Sequence, residues 1–389
     1  MKHDQLTHLR NLRLLLSQEK SPLGFLLAAG CPRAVKDNAG EPLLPDMAGL
    51  SKIIANGHDR DAVDSPYRRL ISEVGKGGKD IGNVEDVLTF IRSMKDVSIG
   101  GGLVRGFTEL ELNNLEKEFC DLIADAVNKE LPVGENAYRK LAKWISSIDR
   151  SVPVEIFTTN YDLLMEQALE EQYVPFFDGF TGSRSPFFDI HSVQKNDIPP
   201  YWARLWKLHG SINWKLEGRN IYRVSKDMAG SPELIYPSKL KYDQSRKMPF
   251  LAMSDRLTNY LLKPHAVLIV CGYSFNDEHI NDTIINALKV NQSANVIVLM
   301  YGKLADANGN LNSSEAVYRA KERPNLCVWY DDKAIIGTQE HEWTEFDTGN
   351  KDFAGFSLKI IDKHVALGDF EAFASFLYQL IGELPDVEK

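Results

Sequence analysis

Two short stretches carry side chains suited to chemistry. EIFTTNYDLL, residues 155–164, reads as the end of a buried strand running into a helix, with Thr158, Thr159, Asn160, Tyr161 and Asp162 at the junction. KLHGSINW, residues 207–214, places His209 at another strand end, directly before Gly210 and Ser211. Histidine is the common side chain that titrates near neutrality, and glycine beside it allows a close backbone approach. Asn160 and Asp162 bring an amide and a carboxylate to the same mouth. Each residue also has a plainer use. Asp162 can cap the helix that follows, Asn160 can stabilise the turn, and a strand-end histidine can be a hydrogen-bonded structural residue.

These residues need strands to position them. Six apolar runs qualify: FLLAA (25–29), VEIF (154–157), RLWKL (204–208), AVLIVC (266–271), NVIVLM (295–300) and NLCVWY (325–330). Nearly continuous Val, Ile and Leu is typical of parallel strands covered on both faces. Helical stretches such as YDLLMEQALEEQ and NDEHINDTIINALKV separate them. The expectation is an α/β fold, Rossmann-like and doubly wound, with a mostly parallel six-stranded sheet. Ligands bind such sheets outside the carboxyl ends of the strands. Those ends carry AAGCP (28–32), TTNYD, LHGS, GYSFND (272–277) and then Tyr301 and Gly302. Small residues in AAGCP let backbone amides approach a phosphate. Five such ends in succession suit a nucleotide laid across the sheet.

The interval between the first two strands is too long for one crossover. Residues 46–150 read as mostly helical, broken by the glycine-rich stretches at 75–82 and 98–106, and are expected to form an inserted module whose ends return to adjacent strands. Near the C-terminus, Phe370, Phe373, Leu377 and Ile381 share one helical face. That face can dock on its own domain, the favoured reading, or on another subunit.

The 389 residues have a formal net charge of −9, so long-range repulsion of phosphates argues against direct nucleic-acid binding. The four cysteines, Cys31, Cys120, Cys271 and Cys327, form no CxxC pair, and His265 and His279 match no metal-ligand spacing. No apolar run is long enough for a membrane span, and the charged N-terminus lacks a signal-peptide core. A cytoplasmic protein without a metal is expected.

In order, AAGCP, TTNYD, KLHGS and GYSF resemble the sirtuin family, whose corresponding elements are Gly-Ala-Gly, Thr-Gln-Asn-Ile-Asp, Leu-His-Gly and Gly-Thr-Ser. The likeness runs over about residues 22–302 but is concentrated in these motifs. It implies NAD as the ligand. Asn160 would contact the nicotinamide ribose and hold the attacking water, and His209 would be the general base. Asp162, with Thr159 beside it, would help hold the nicotinamide end. Ala29, Gly30 and Cys31 would line the diphosphate turn, Gly272 and Ser274 would lie near the phosphate and the other ribose, and Tyr301 would also bind the cofactor. LLPDM (43–47) is similar to the family's Pro-Asp-Phe cofactor loop, which adds Asp46. Ala28 and Pro32 depart from the pattern, at positions where sirtuins carry Gly and usually Ser.

Protein-deacylating sirtuins also carry a four-cysteine zinc module after the Leu-His-Gly motif. This chain has no cysteine between 121 and 270. It is therefore more similar to sirtuin-like effectors of bacterial antiphage defence, which hydrolyse NAD. The implied activity is an NAD glycohydrolase releasing nicotinamide and ADP-ribose, as a homo-oligomer, with a HerA-type hexameric ATPase as the implied partner. Two alternatives stay open: an NAD-dependent protein deacylase whose peptide groove is built by residues 215–250, and an inert NAD- or ADP-ribose-binding scaffold. The expected organisation is residues 1–45 for the N-terminal helix, first strand and cofactor turn, and 46–150 for the helical module. Residues 151–335 would complete the NAD-binding domain, and 336–389 would form a C-terminal extension.

Overall fold

The computed structural model describes residues 2–58, 62, 64–217, 220–224 and 249–381. In chain order the elements that matter here are α1 (Gln5–Ser17), β1 (Leu23–Leu27), α2 (Cys31–Ala34), α3 (Met47–Gly57), α4 (Pro66–Lys76), α5 (Val84–Ser98), α6 (Glu109–Val127), α7 (Ala137–Ser147), β2 (Val154–Thr158) and α8 (Leu164–Glu171). Then follow β3 (Phe176–Phe177), β4 (Phe180–Thr181), β5 (Phe187–Phe188), α9 (Ile190–Lys195), β6 (Ala203–Lys207), β7 (Trp214–Glu217), β8 (Asn220–Arg223), α10 (Phe250–Leu261), β9 (Val267–Cys271) and α11 (Glu278–Val290). The chain closes with β10 (Asn295–Leu299), α12 (Ser314–Glu322), β11 (Leu326–Trp329), β12 (Lys333–Ile336), β13 (Gln339–Glu342), β14 (Ile360–Ile361), β15 (His364–Val365) and α13 (Phe370–Gln379).

Among the described residues the main sheet has nine strands in the order β13-β12-β11-β10-β9-β1-β2-β6-β3. The six apolar runs form its parallel centre, from β11 to β6. Three further strands extend it. β3 adds a two-residue parallel edge, and β12 and β13 form an antiparallel hairpin. Gly337 and Thr338 at its turn both have positive φ, as a tight hairpin turn requires.

Alternating side chains give the sheet two cores. Leu23, Phe25 and Leu27 of β1 face one side, and Leu26 the other. Val267, Ile269 and Cys271 of β9 share the first side, while Leu268 and Val270 share the second. The first core runs on into the helices between β1 and β2, which are paired neighbours. α3, α4, α5 and α6 all lie within the span 46–150 expected to be mostly helical, and Ser65 caps α4 while Pro66 opens it.

Two expected boundaries need correction. The division at 335/336 cuts β12, which belongs to the sheet, so the extension starts after β13. The division at 150/151 leaves α7 in the helical module, but α7 packs along α13 and against α8, in the layer that covers the sheet. Phe370, Phe373, Phe376 and Leu377 of α13 are buried in this layer, so the C-terminal apolar face docks on its own chain. Among the described residues no helix is long and apolar enough to cross a membrane.

β1 continues to one side as β2 and β6, and to the other as β9, β10 and β11, so the strand order reverses beside β1. The turns leaving β1 and β9 meet there backbone to backbone. Gly30 donates its amide to Gly272 O at 2.9 Å. A Cβ on Gly272 would lie 2.6 Å from Cys31 N, and its φ is +66°. Gly272→Ala is therefore expected to destabilise the fold by more than about 1 kcal/mol in urea denaturation. Gly102→Ala, which has open space at its Cβ, should melt like the parent.

Candidate active site

Each strand end is tied to its neighbour by a side chain or a turn amide. Thr158 Oγ1, at the end of β2, donates to Leu27 O at 2.8 Å, and Asn160 Nδ2 donates to Ala28 O at 3.2 Å. Asn160 N in turn donates to Thr158 Oγ1 at 3.0 Å. The amide of Asn160 is thereby fixed over the turn between β1 and α2, with Oδ1 left as its acceptor. Thr159 N reaches Leu27 O at 3.3 Å. Ala29 is exposed and Gly30 half-buried, while Cys31 is fully buried with its thiol on Cys271 O at 3.2 Å. Burial raises the Cys31 thiol pKa well above the usual value, so the residue lines the turn through its backbone rather than as a nucleophile.

Asp162 lies one residue ahead of the N-cap of α8, which is Leu163 and makes no side-chain cap bond; Asp162 Oδ1 instead closes a local turn by accepting from Leu164 N at 3.0 Å. It is also buried, and burial pushes its pKa up to about 6, against the pull of Lys207. Lys207, the last residue of β6, is itself buried. Its Nζ binds Glu166 Oε1 at 2.8 Å and the carbonyl oxygens of Tyr161 and Asp162. This ammonium locks the TTNYD turn to the strand that delivers His209. Ile212 N adds a backbone bond to Tyr161 O at 3.0 Å. Tyr138 of α7 lies beneath, fully buried near Asp162, its hydroxyl facing the Asn160 side chain.

His209 sits on the other flank, 13% exposed, with Nε2 3.0 Å from Asp277 Oδ2. Asp277 caps α11, its Oδ1 accepting from His279 N at 3.0 Å and Ile280 N at 3.3 Å. One carboxylate thus fixes a helix start and orients the imidazole. A cavity of about 30 Å³ opens beside this pair, lined among others by Phe250, Ser254 and Thr283.

The remaining expected positions are spread along the crevice. Gly272 meets Gly30, and Ser274 is exposed with its carbonyl accepting from Ser313 Oγ at 2.7 Å. Tyr301 is 69% exposed at the end of β10. Asp46 caps α3 by accepting from Gly49 N at 2.8 Å, and its other oxygen pairs with Arg33. That ties the 43–47 loop to the turn after β1 through Arg33, with the Asp46 side chain 47% exposed. Sequence reasoning missed Lys207, Asp277 and Tyr138. Lys207 and Asp277 lie inside the motifs it quoted. Tyr138 lies in a helix distant in sequence, with no local signal. Among the described residues no cluster of three or more His, Cys, Asp or Glu could hold a metal.

Residues 154–320 match a family model described as a SIR2-like domain. The match spans under half of the chain and is a similarity of this stretch. The match begins with β2 and includes Asn160, Asp162, His209, Gly272, Ser274, Asp277 and Tyr301. The glycine turn after β1 and everything beyond α12 lie outside it. Among solved structures, one from work on the mechanism and regulation of Sir2 enzymes is similar at 13% identity. That similarity covers 79% of this chain and 90% of that one, with a TM-score of 0.31. A likeness at that level adds no weight to the site. No curated protein matches the chain.

Lys207→Met should be strongly destabilising, by about 3–5 kcal/mol in chemical denaturation, because it strands Glu166 beside Asp162 in the interior. Pairing it with Glu166→Gln should recover part of that loss. Equal stability of Lys207→Met and parent would show that the ammonium does not hold the turn.

Proposed function

We propose that the chain hydrolyses NAD at the bond between nicotinamide and ribose. The observation that carries this reading is the pair of fixed groups on adjacent strands: Asn160, pinned to Ala28 O after β2, and His209, oriented by Asp277 after β6. Cleavage of an N-glycosidic bond passes through an oxocarbenium-like sugar, as glycoside hydrolysis does. Nicotinamide leaves with the bonding electrons as a neutral ring. Water, held by Asn160 Oδ1, adds to the anomeric carbon and gives its proton to His209, which returns it to solvent. The balance is NAD and water to nicotinamide, ADP-ribose and a proton. Fixing water and base against the sugar supplies most of what the step needs. Gly30 and Gly272 would receive the diphosphate where their backbones converge.

A role as an NAD-depleting effector in antiphage defence, in a homo-oligomer with a HerA-type ATPase, is part of the proposal and rests on the motif resemblance alone. The deacylase alternative depends on a groove built by residues 215–250. Residues 218–219 and 225–248 of that span lie outside those the structure describes.

Purified protein, alone and with a HerA-type ATPase, should release nicotinamide from NAD. Asn160→Ala and His209→Ala should each lower that rate by about 10²–10⁴-fold. Asp277→Asn should keep the helix cap, and so the melting temperature, while slowing release, because asparagine caps as well as aspartate but carries no charge for the imidazole. Nicotinamide release by Asn160→Ala and His209→Ala at the parent rate would place the chemistry elsewhere.

A further inference from the structure

The sheet has a second opening at its other end. A cavity of about 210 Å³ is lined there by Val154 and Ala203, the first residues of β2 and β6. Tyr173, Tyr201 and Trp202 line it together with Pro175 and Pro200. Tyr173 is 89% exposed and Tyr201 71%. A single exposed ring needs no explanation, but two on the rim of one apolar pocket form the kind of patch that marks an interaction site. Tyr173 is also held there against its backbone preference. α8 ends in a Schellman motif, in which Tyr173 N donates to Glu170 O at 3.1 Å and Val174 N to Leu169 O at 2.9 Å. The motif puts Tyr173 at φ +54°, a position that glycine usually fills. A bulky residue in the left-handed region is strained, and a ring so exposed recovers little by packing. The fold itself gives no reason for a tyrosine here.

The polar groups around the pocket select a ligand. Among the described residues no hydrogen bond reaches the hydroxyls of Tyr173 and Tyr201 or the indole nitrogen of Trp202, and all three can donate. Asp149, also on the lining, is exposed and makes no ion pair among the described residues. The other charged group, Arg150, is turned inward, with its guanidinium on Leu16 O at 3.2 Å and Ser21 O at 2.6 Å. The rim therefore presents donors on aromatic rings and one free negative charge. A proline-rich segment is the complement. In the polyproline II form it exposes carbonyl acceptors and rigid apolar rings, lacks N–H donors at its prolines, and is already ordered before it binds. A partner strand would need a sheet edge, which strand ends do not offer.

We propose that this groove docks a proline-rich segment of a partner protein, with a lysine or arginine of that segment beside Asp149. The rings of Tyr173, Tyr201 and Trp202 hold the proline face, and their donors meet its carbonyl oxygens. The groove lies at the opposite end of β2 from Asn160, so the proposal does not depend on NAD chemistry.

Fluorescence anisotropy of the full chain with a fluorescein-labelled peptide, Arg-Ala-Leu-Pro-Pro-Leu-Pro, tests this. The peptide should bind saturably. Glu-Ala-Leu-Pro-Pro-Leu-Pro and Arg-Ala-Leu-Ala-Ala-Leu-Ala should both bind more weakly. Tyr173→Gly should weaken the arginine peptide about tenfold or more, the scale of an interface hot spot. The same variant should melt no lower than the parent, because glycine suits the left-handed position. Tyr201→Ala should lose binding by a similar factor, and Asp149→Asn should erase the preference for the arginine peptide over the glutamate one. Tyr318→Ala removes an exposed ring from α12, away from the groove, and should bind as the parent does. No binding of the arginine peptide by the parent, or parent-like binding by Tyr173→Gly and Tyr201→Ala, overturns the proposal. A parent that sediments as a dimer and is dissociated by those two substitutions assigns the groove to a second copy, which overturns it too.

Discussion

Carbonyl oxygens at the ends of parallel strands lie at the limit of the sheet ladder, and a buried carbonyl without a donor is costly. Here the backbone amides of Thr159 and Ala28 reach Leu27 O and Cys271 O, and side chains from the neighbouring turns add further donors. Thr158 serves Leu27, Asn160 serves Ala28, Cys31 serves Cys271 and Lys207 serves Tyr161 and Asp162. Farther along, Ser313 serves Ser274, and Asn312 Nδ2 reaches Tyr301 O at 2.8 Å. The same turns that form the crevice therefore also close the sheet's hydrogen-bond account. A side chain such as Asn160 can be structural through its nitrogen and available to a ligand through its oxygen, so the two readings of TTNYD do not exclude each other.

Charge is handled differently on the two flanks. Around β2 the interior holds Asp162, Glu166 and Lys207 together, one ammonium among two carboxylates, and the burial cost shows in the raised Asp162 pKa. Around His209 the carboxylate of Asp277 is stabilised by backbone amides at the start of α11, which leaves its second oxygen for the imidazole. The first arrangement builds a rigid turn. The second sets a ring orientation beside a small cavity.

The six central strands were legible because a strand covered on both faces must be apolar at nearly every position, and such runs stand out. β3 was not, since two residues give no pattern, and the β12–β13 hairpin was missed because its outer strand, Gln339–Glu342, is polar at every position. The positions of Asn160, Asp162 and His209 followed from the rule that ligands gather at carboxyl ends. Their partners did not. That Asp277 reaches back to His209, or that Tyr138 arrives beneath Asn160 from α7, is decided by helix placement across the sheet, which no local spacing encodes. Asp46 likewise has partners that the motif does not show: it caps α3 and pairs with Arg33.

The Arg33–Asp46 pair joins two parts of the chain that the Leu43 N to Val35 O bond also ties together. Arg33 belongs to the short helix that begins at Cys31, and Asp46 is the first fixed point of α3. The helices between β1 and β2 are therefore linked, through this guanidinium, to within three residues of the glycine that touches Gly272. The inserted helices and the turn that meets Gly272 share one anchor.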